Sequence, residues 1–390
     1  MRTVSPSVSL TRAAALAVRR GHPWVWRQGV TSGIDRLLPG DAVRVLSPEG
    51  APLGYALADP GSPIVLRIWG KTPLDPASFS QRVERAVALR ERLFANGLTT
   101  AYRVVHGEGD RMPGLVVDRY GPVAVLRTDG DGIRRRLGEL VEALRVPLAR
   151  LGIVTIIERV GTRKESHVVV LHGEPPPERL EVQEHGVSFM VDLARGQKTG
   201  AFLDQRENRV RVGALAAEKR VLNLFSYTGG FSLWAARGGA IRVTSVDLSA
   251  EALATGEESF RRAGLDPRAH LFVAAEAFGF LSDAKRRGLS WDLIVSDPPS
   301  FAPREQSVER ALGAYRTLHR ACVELLAPGG LFCAASCSSH VNAEAFVTTL
   351  DDAALGRDDL RLLELIGAPA DHPTLPGWPE GRYLKFAILG

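Results

Sequence analysis

From about residue 186 onward, short apolar runs alternate with amphipathic stretches, and this alternation constrains the fold more than any other feature. RVLNLF (220–225), RVTSVDL (242–248), HLFVAA (270–275), WDLIVSD (291–297) and GLFCAAS (330–336) are strand-length runs bounded by turn residues. Helical segments near 229–237, 249–263, 276–288 and 306–326 separate them. Apolar strands joined by helices predict an α/β fold with a parallel sheet covered on both faces. Ligands of such folds bind at the carboxyl ends of the strands, so residues at those ends are the candidates for chemistry.

The chain is 390 residues long, more than one ordinary core needs. Residues 1–72 read as a small β-barrel: a helix over Leu10–Arg20, ended by Gly21-His22-Pro23, then WVWRQGV, DAVRVLS, LGYALAD and SPIVLRIWG between turns. KTPLDPAS (71–78) marks a boundary. A central α+β domain, 73–185, holds FSQRVERAVALRERLFANG, a helix near 131–145, and strand-like runs that end at the turn-rich GEPPPER (173–179). The third domain is 186–390.

No apolar run is long enough to span a membrane. Arg12 interrupts LTRAAALAV, and Arg19-Arg20 follow it, which excludes a secretory signal. The three cysteines, Cys322, Cys333 and Cys337, offer no disulfide framework or zinc spacing. A cytoplasmic protein with no metal is the expectation. The net charge of +5 is concentrated: residues 1–71 carry nine Arg or Lys against four Asp or Glu, which accounts for all of it. A basic module on a neutral body suggests a grip on a polyanion, and the same arginines also suit a scattered solvated surface.

Each strand end carries a motif. VLNLF runs into Ser226-Tyr227-Thr228-Gly229-Gly230 and then a helix. Glycines there let backbone approach a ligand, and the helix start offers free amides. Asp247 ends the next strand, placed to accept from ribose hydroxyls. The full dinucleotide fingerprint is absent, so a nucleoside without a pyrophosphate fits better. Glu276 ends the third strand and suits either an adenine amine or the cap of the next helix. SDPPSF (296–301) offers the Asp297 carboxylate on a turn made rigid by Pro298 and Pro299, suited to an amino-bearing base. Cys337 follows the fifth strand at the same sheet edge, where a thiol serves as a nucleophile or as packing; Cys322 and Cys333 read as packing.

These motifs resemble a known family. The carboxyl-terminal half is similar to class I S-adenosylmethionine-dependent methyltransferases, and nearly the whole chain to bacterial 23S rRNA cytosine-5 methyltransferases with an N-terminal PUA domain. The resemblance rests on GHPWVW (21–26), GEGDRMPGLVVDRYG (107–121), GQKTGAFLDQRENR (196–209), LNLFSYTGGFS, SDPPSF, SCSSH and DHPTLPGWPEGRYLK (371–385). It implies a Rossmann-like domain with a mostly parallel seven-stranded sheet and S-adenosylmethionine as cofactor. By position, Phe225, Ser226, Tyr227, Thr228, Gly229 and Gly230 form the cofactor loop, Asp247 binds ribose, and Glu276 replaces the usual Asp near the adenine. Asp297 borders both ligands, and Cys337 is the nucleophile. Ser300 departs both from the second cysteine of other RNA cytosine-5 enzymes and from the usual Lys of these relatives, which implies a single-cysteine mechanism.

The resemblance further implies large-subunit rRNA as partner, held by Arg19, Arg20, Trp24 and Arg27 of the PUA segment, and it allows a homodimer. Trp24 and Trp26 suit either base stacking or core packing. Two other readings stay open: methylation of an exocyclic base amine, for which Phe301 stands one residue late, and a non-catalytic RNA-binding assembly factor.

Overall fold

The protein is described by a computed structural model that covers residues 6–161, 166–302 and 305–390; Arg2, counted in the basic excess, lies outside them. The chain forms two units, one of residues 1–186, 191–203 and 370–381, the other of 187–190, 204–369 and 382–390.

The first unit holds two sheets. The amino-terminal segment forms a six-stranded sheet in the order Trp24–Trp26, Ile64–Gly70, Pro52–Ala58, Ala42–Leu46, Ser7–Leu10, Val30–Ser32. The short helix Arg12–Arg19, capped by Thr11, buries Ala15 and Val18 and leaves Arg19 and Arg20 in solvent. A five-stranded sheet follows, with helices Pro76–Leu93 and Leu137–Arg150 contributing to its core. Leu57 and Trp69 of the first sheet belong to that same core.

Two stretches expected in the carboxyl-terminal domain, 191–203 and 370–381, pack in this unit instead. The cause is buried charge. Arg90 is fully buried and forms a two-pronged pair with Asp110, 2.8 Å on each arm. Its remaining donors reach the Arg103 carbonyl at 2.8 Å and the Asp371 carbonyl at 2.7 Å. The Asp371 carboxylate takes the Arg103 amide, while Thr199 donates to buried Asp118 at 2.6 Å. A buried ion needs such partners, and these two stretches supply them.

The second unit is a three-layer sandwich. Its strands are β1 (Arg220–Leu224), β2 (Arg242–Asp247), β3 (Leu271–Ala274), β4 (Trp291–Ser296), β5 (Leu326–Ser336), β6 (Leu362–Ile366) and β7 (Lys385–Leu389). The spatial order is β3-β2-β1-β4-β5-β7-β6; the first five run parallel, and β7 is antiparallel to both neighbours. Helices are α1 (Arg206–Leu215), α2 (Gly230–Arg237), α3 (Ala250–Arg262), α4 (Ala277–Arg286), α5 (Val308–Glu324) and α6 (Ala343–Ala354).

The period-two alternation of the strands divides the core in two. Leu222, Ile294, Phe332 and Ala334 meet α4, α5 and α6 on one face. Val221, Leu293, Val295, Cys333 and Ala335 meet α1, α2 and α3 on the other. The helix after β1 and the helix after β4 therefore lie on opposite faces, which opens a crevice above those adjacent strands. The seven-stranded, mostly parallel sheet is the one the family resemblance implies.

Replacing Arg90 by Ala would leave Asp110 buried without its counter-ion. The expected loss is about 3–5 kcal/mol of unfolding free energy, measurable by urea denaturation.

Candidate active site

The residues after β1 hold an unusual backbone. Phe225 (φ 55°), Tyr227 (φ 50°) and Gly229 (φ 73°) alternate in the left-handed region. For the two aromatic residues this costs of order 1–3 kcal/mol each. The conformation is held from outside: the Ser226 amide donates to the Val246 carbonyl at 3.0 Å, and Gly229 N to the Ser226 carbonyl at 2.8 Å. Gly230 opens α2 where an added Cβ would stand 2.9 Å from Arg209 Cδ, so the arginine stem lies where a side chain would be.

Asp247 closes β2. Its Oδ2 accepts from Tyr227 N at 2.7 Å and its Oδ1 from Ser249 N at 2.9 Å. One amide on each oxygen orients the carboxylate and leaves a lone pair on each for a ligand. The Ser226 hydroxyl, next to Tyr227 in the chain, is buried with no protein partner. A buried hydroxyl left over in a strained loop is what a polar ligand would satisfy. Glu276 is exposed and caps α4, accepting from Phe278 N at 3.0 Å and Gly279 N at 2.7 Å. The capping half of its two readings is therefore present.

The other side of the crevice carries Asp297, half-buried just after β4, with Pro298 buried behind it and Pro299 and Ser300 exposed. Its Oδ2 accepts from Gln205 Nε2 at 3.0 Å, and Gln205 Oε1 accepts from Asn208 Nδ2 at 2.6 Å. Gln205 and Asn208 are both buried, so the chain of amides fixes the carboxylate from below. Neither was singled out for a role, although both lie in GQKTGAFLDQRENR; Asn208 stands three residues on from Gln205, a spacing that faces them together at a helix start.

The three cysteines separate clearly. Cys322 and Cys333 are buried and Cys337 is half-buried. Burial raises the Cys322 thiol and pushes that of Cys333 up to about 12, so both remain inert thiols. Cys337 stands one residue past β5, and its neighbours Ser336 and Ser338 are tied down. Ser336 Oγ accepts from the Tyr315 hydroxyl at 3.0 Å, and Ser338 Oγ donates to the Ala302 carbonyl at 3.2 Å. Burial, together with the nearby charges of Cys337 and Asp297, raises the Tyr315 phenol, which keeps it a donor. Phe301 packs on the Tyr315 ring, centroids 4.9 Å apart.

In the first unit, Arg19, Arg20 and Arg27 are exposed, and Arg27 donates to the Pro60 carbonyl. Trp24 is half-buried, with Nε1 donating to Glu108 at 2.7 Å and its ring edge-on to Trp378 at 5.3 Å. Packing thus occupies part of Trp24. Among the described residues there is no cluster of metal-ligating side chains, and no helix is long and apolar enough to cross a membrane.

Comparison with known proteins identifies the family. The S-adenosylmethionine-dependent methyltransferase family matches residues 128–380, and a PUA-like domain matches residues 8–71. A ribosomal RNA large subunit methyltransferase of Deinococcus radiodurans is 39% identical over 97% of this chain and 96% of its own length. Ribosomal RNA large subunit methyltransferase I of Vibrio cholerae is 36% identical, covering 98% of each chain. A solved protein assigned as a methyltransferase, in complex with S-adenosylhomocysteine, superimposes with a TM-score of 0.87 at 28% identity, covering 98% of this chain and 99% of that one.

The residues present fit S-adenosylmethionine: the left-handed loop, the unpartnered Ser226 hydroxyl and the oriented Asp247 carboxylate suit a nucleoside without a pyrophosphate. Asp247→Ala removes a charged hydrogen-bond acceptor, so the Kd for S-adenosylhomocysteine should rise about 10- to 100-fold, read by calorimetry. On the loop, the sheet order and these matches together, the chain belongs to the S-adenosylmethionine-dependent methyltransferases that carry an N-terminal PUA-like domain, the family of those ribosomal RNA large subunit enzymes.

Proposed function

We propose that this protein methylates C5 of a cytosine in large-subunit rRNA, with Cys337 as the nucleophile. The observation that carries the reading is the placement of a half-exposed thiol one residue beyond β5, in the same unit as an oriented Asp297 and with both other thiols buried. The RNA class follows from the names of relatives that match end to end, and the basic amino-terminal segment suits a phosphate backbone.

The chemistry requires such a thiol. C5 of cytosine is too weak a carbon nucleophile to take an alkyl group unaided. The Cys337 thiolate forms a bond to C6, and the C5–C6 π electrons then reside on an enamine whose reactive carbon is C5. Asp297, held by Gln205, accepts from the 4-amino group and orients the ring as the charge develops. S-adenosylmethionine, when bound, supplies an electrophilic methyl group to that carbon. Loss of the C5 proton to a base restores the C5–C6 double bond and expels the Cys337 thiolate. Phe225 to Gly230 and Asp247 hold the cofactor throughout. A base in a duplex is out of reach of a crevice like this, so unpaired RNA is the easier substrate.

Methylation of an exocyclic amine needs no thiol. Such chemistry places an aromatic ring after Asp-Pro-Pro against the base, and Phe301 is instead packed on Tyr315.

Tritium release from C5-labelled cytidine in unmodified large-subunit rRNA separates the readings. Wild type should release tritium and Cys337→Ala should release none while still binding S-adenosylhomocysteine. Methyl incorporation without tritium release would move the target to an amine or ribose. No transfer at all by wild type would favour a non-catalytic RNA-binding role.

A further inference from the structure

We infer that Lys385 is the positioning residue of the Cys337 thiol, an ammonium caged by three backbone carbonyls that fixes the strand-end loop and supplies positive charge favouring thiolate. The inference rests on the reading of Cys337 as the nucleophile.

Lys385 opens β7 and pairs in register with Ser336, the residue before Cys337. The side chain is only 4% exposed, which is rare for a lysine. Its Nζ donates to the Ser338 carbonyl, to the Val341 carbonyl at 2.6 Å and to the Tyr383 carbonyl at 2.8 Å. Three acceptors match the three N–H donors of an ammonium; a neutral amine has two and would leave one buried carbonyl unmet. Two of the three carbonyls belong to the segment after Cys337, so the ammonium holds the loop that carries the thiol.

None of these partners is a carboxylate, so no acid in the cage neutralises the charge. Burial accordingly brings Lys385 down to about 8, and the interaction opposing that fall is the one with Cys337. Coupling between two sites is reciprocal: a thiolate that favours the ammonium is favoured by it to the same extent. Among the described residues, Tyr315 of α5, which remains a phenol, interacts with Cys337, and Asp297 at the end of β4 acts on that same phenol, its charge opposing a thiolate and engaged by Gln205. A cation at position 385 offsets that opposition. Of the loop between β4 and α5, Ser300 is polar but uncharged, and Arg304 lies outside the described residues.

The test is the pH dependence of iodoacetamide alkylation at Cys337 in the full-length protein, followed by peptide mass spectrometry. Wild type should titrate below the ordinary thiol value of about 8.5. Lys385→Met should titrate about one unit higher, slowing alkylation at pH 7 about tenfold, with Lys385→Arg restoring most of the difference. Binding of S-adenosylhomocysteine reports whether each variant keeps its fold. A wild-type midpoint at or above the ordinary value overturns the assignment, and needs no variant to fold. So does an equal midpoint in wild type and a cofactor-binding Lys385→Met. Failure of the nucleophile reading shows separately, as Cys337→Ala that still releases tritium. A Cys337 that is essential yet titrates as a free thiol sinks the role of Lys385 alone.

Discussion

The parallel pairing of β1 with β4 sets the rest of the site in place. Leu224 lies opposite Ser296 in register, so the loops that follow leave the sheet side by side. One chain then turns to the face of α2 and the other to the face of α5. Backbone groups at the two strand ends cannot pair with each other there, and the space between them is open to a ligand. The loop after β1 and Asp297 after β4 stand on the two sides of that divergence. A sheet with β1 and β4 separated would put the same residues out of reach of one another.

The energetic cost of the site is concentrated in the loop after β1. Two aromatic residues in the left-handed region oppose folding, and a buried hydroxyl lacks a partner. The two-faced core on either side holds the loop in spite of this. Leu222, Leu224, Val246 and Ile294 are all fully buried next to it, and burying one such side chain contributes roughly 1.5–3 kcal/mol. A strained loop in a rigid frame is ready for its ligand without rearrangement, which lowers the entropic cost of binding.

Much of this was legible in the sequence because it is local. Strand length, helix period and the turn residues after β1, β2 and β4 are written within a few residues of each other. Glu276 was legible only as a pair of alternatives, because an acid at a helix start serves a cap and a ligand equally well. What escaped is long-range. Gln205 meets Asp297 across 92 positions and Lys385 meets Ser338 across 47. A lone lysine at the head of KFAIL reads as a solvated strand end; only the fold shows that three carbonyls surround it. The assignment of 191–203 and 370–381 was hidden for the same reason. Their partners, Asp118 and Arg90, lie in another part of the chain, and no pattern within either stretch announces a buried counter-group.

The position of β7 in the sheet has a consequence for how the protein is made. β5 pairs with β7 over five residues, Phe332 to Ser336, and β7 spans Lys385–Leu389. A ribosome delivers these strands some fifty residues apart, at about 5–20 residues per second. During those seconds the nascent β5 has an unpaired edge, which is a template for pairing with another chain. The loop that bears Cys337 is likewise uncaged until Lys385 has left the exit tunnel. A chain released early, short of β7, would carry the loop after β1 beside an unanchored thiol.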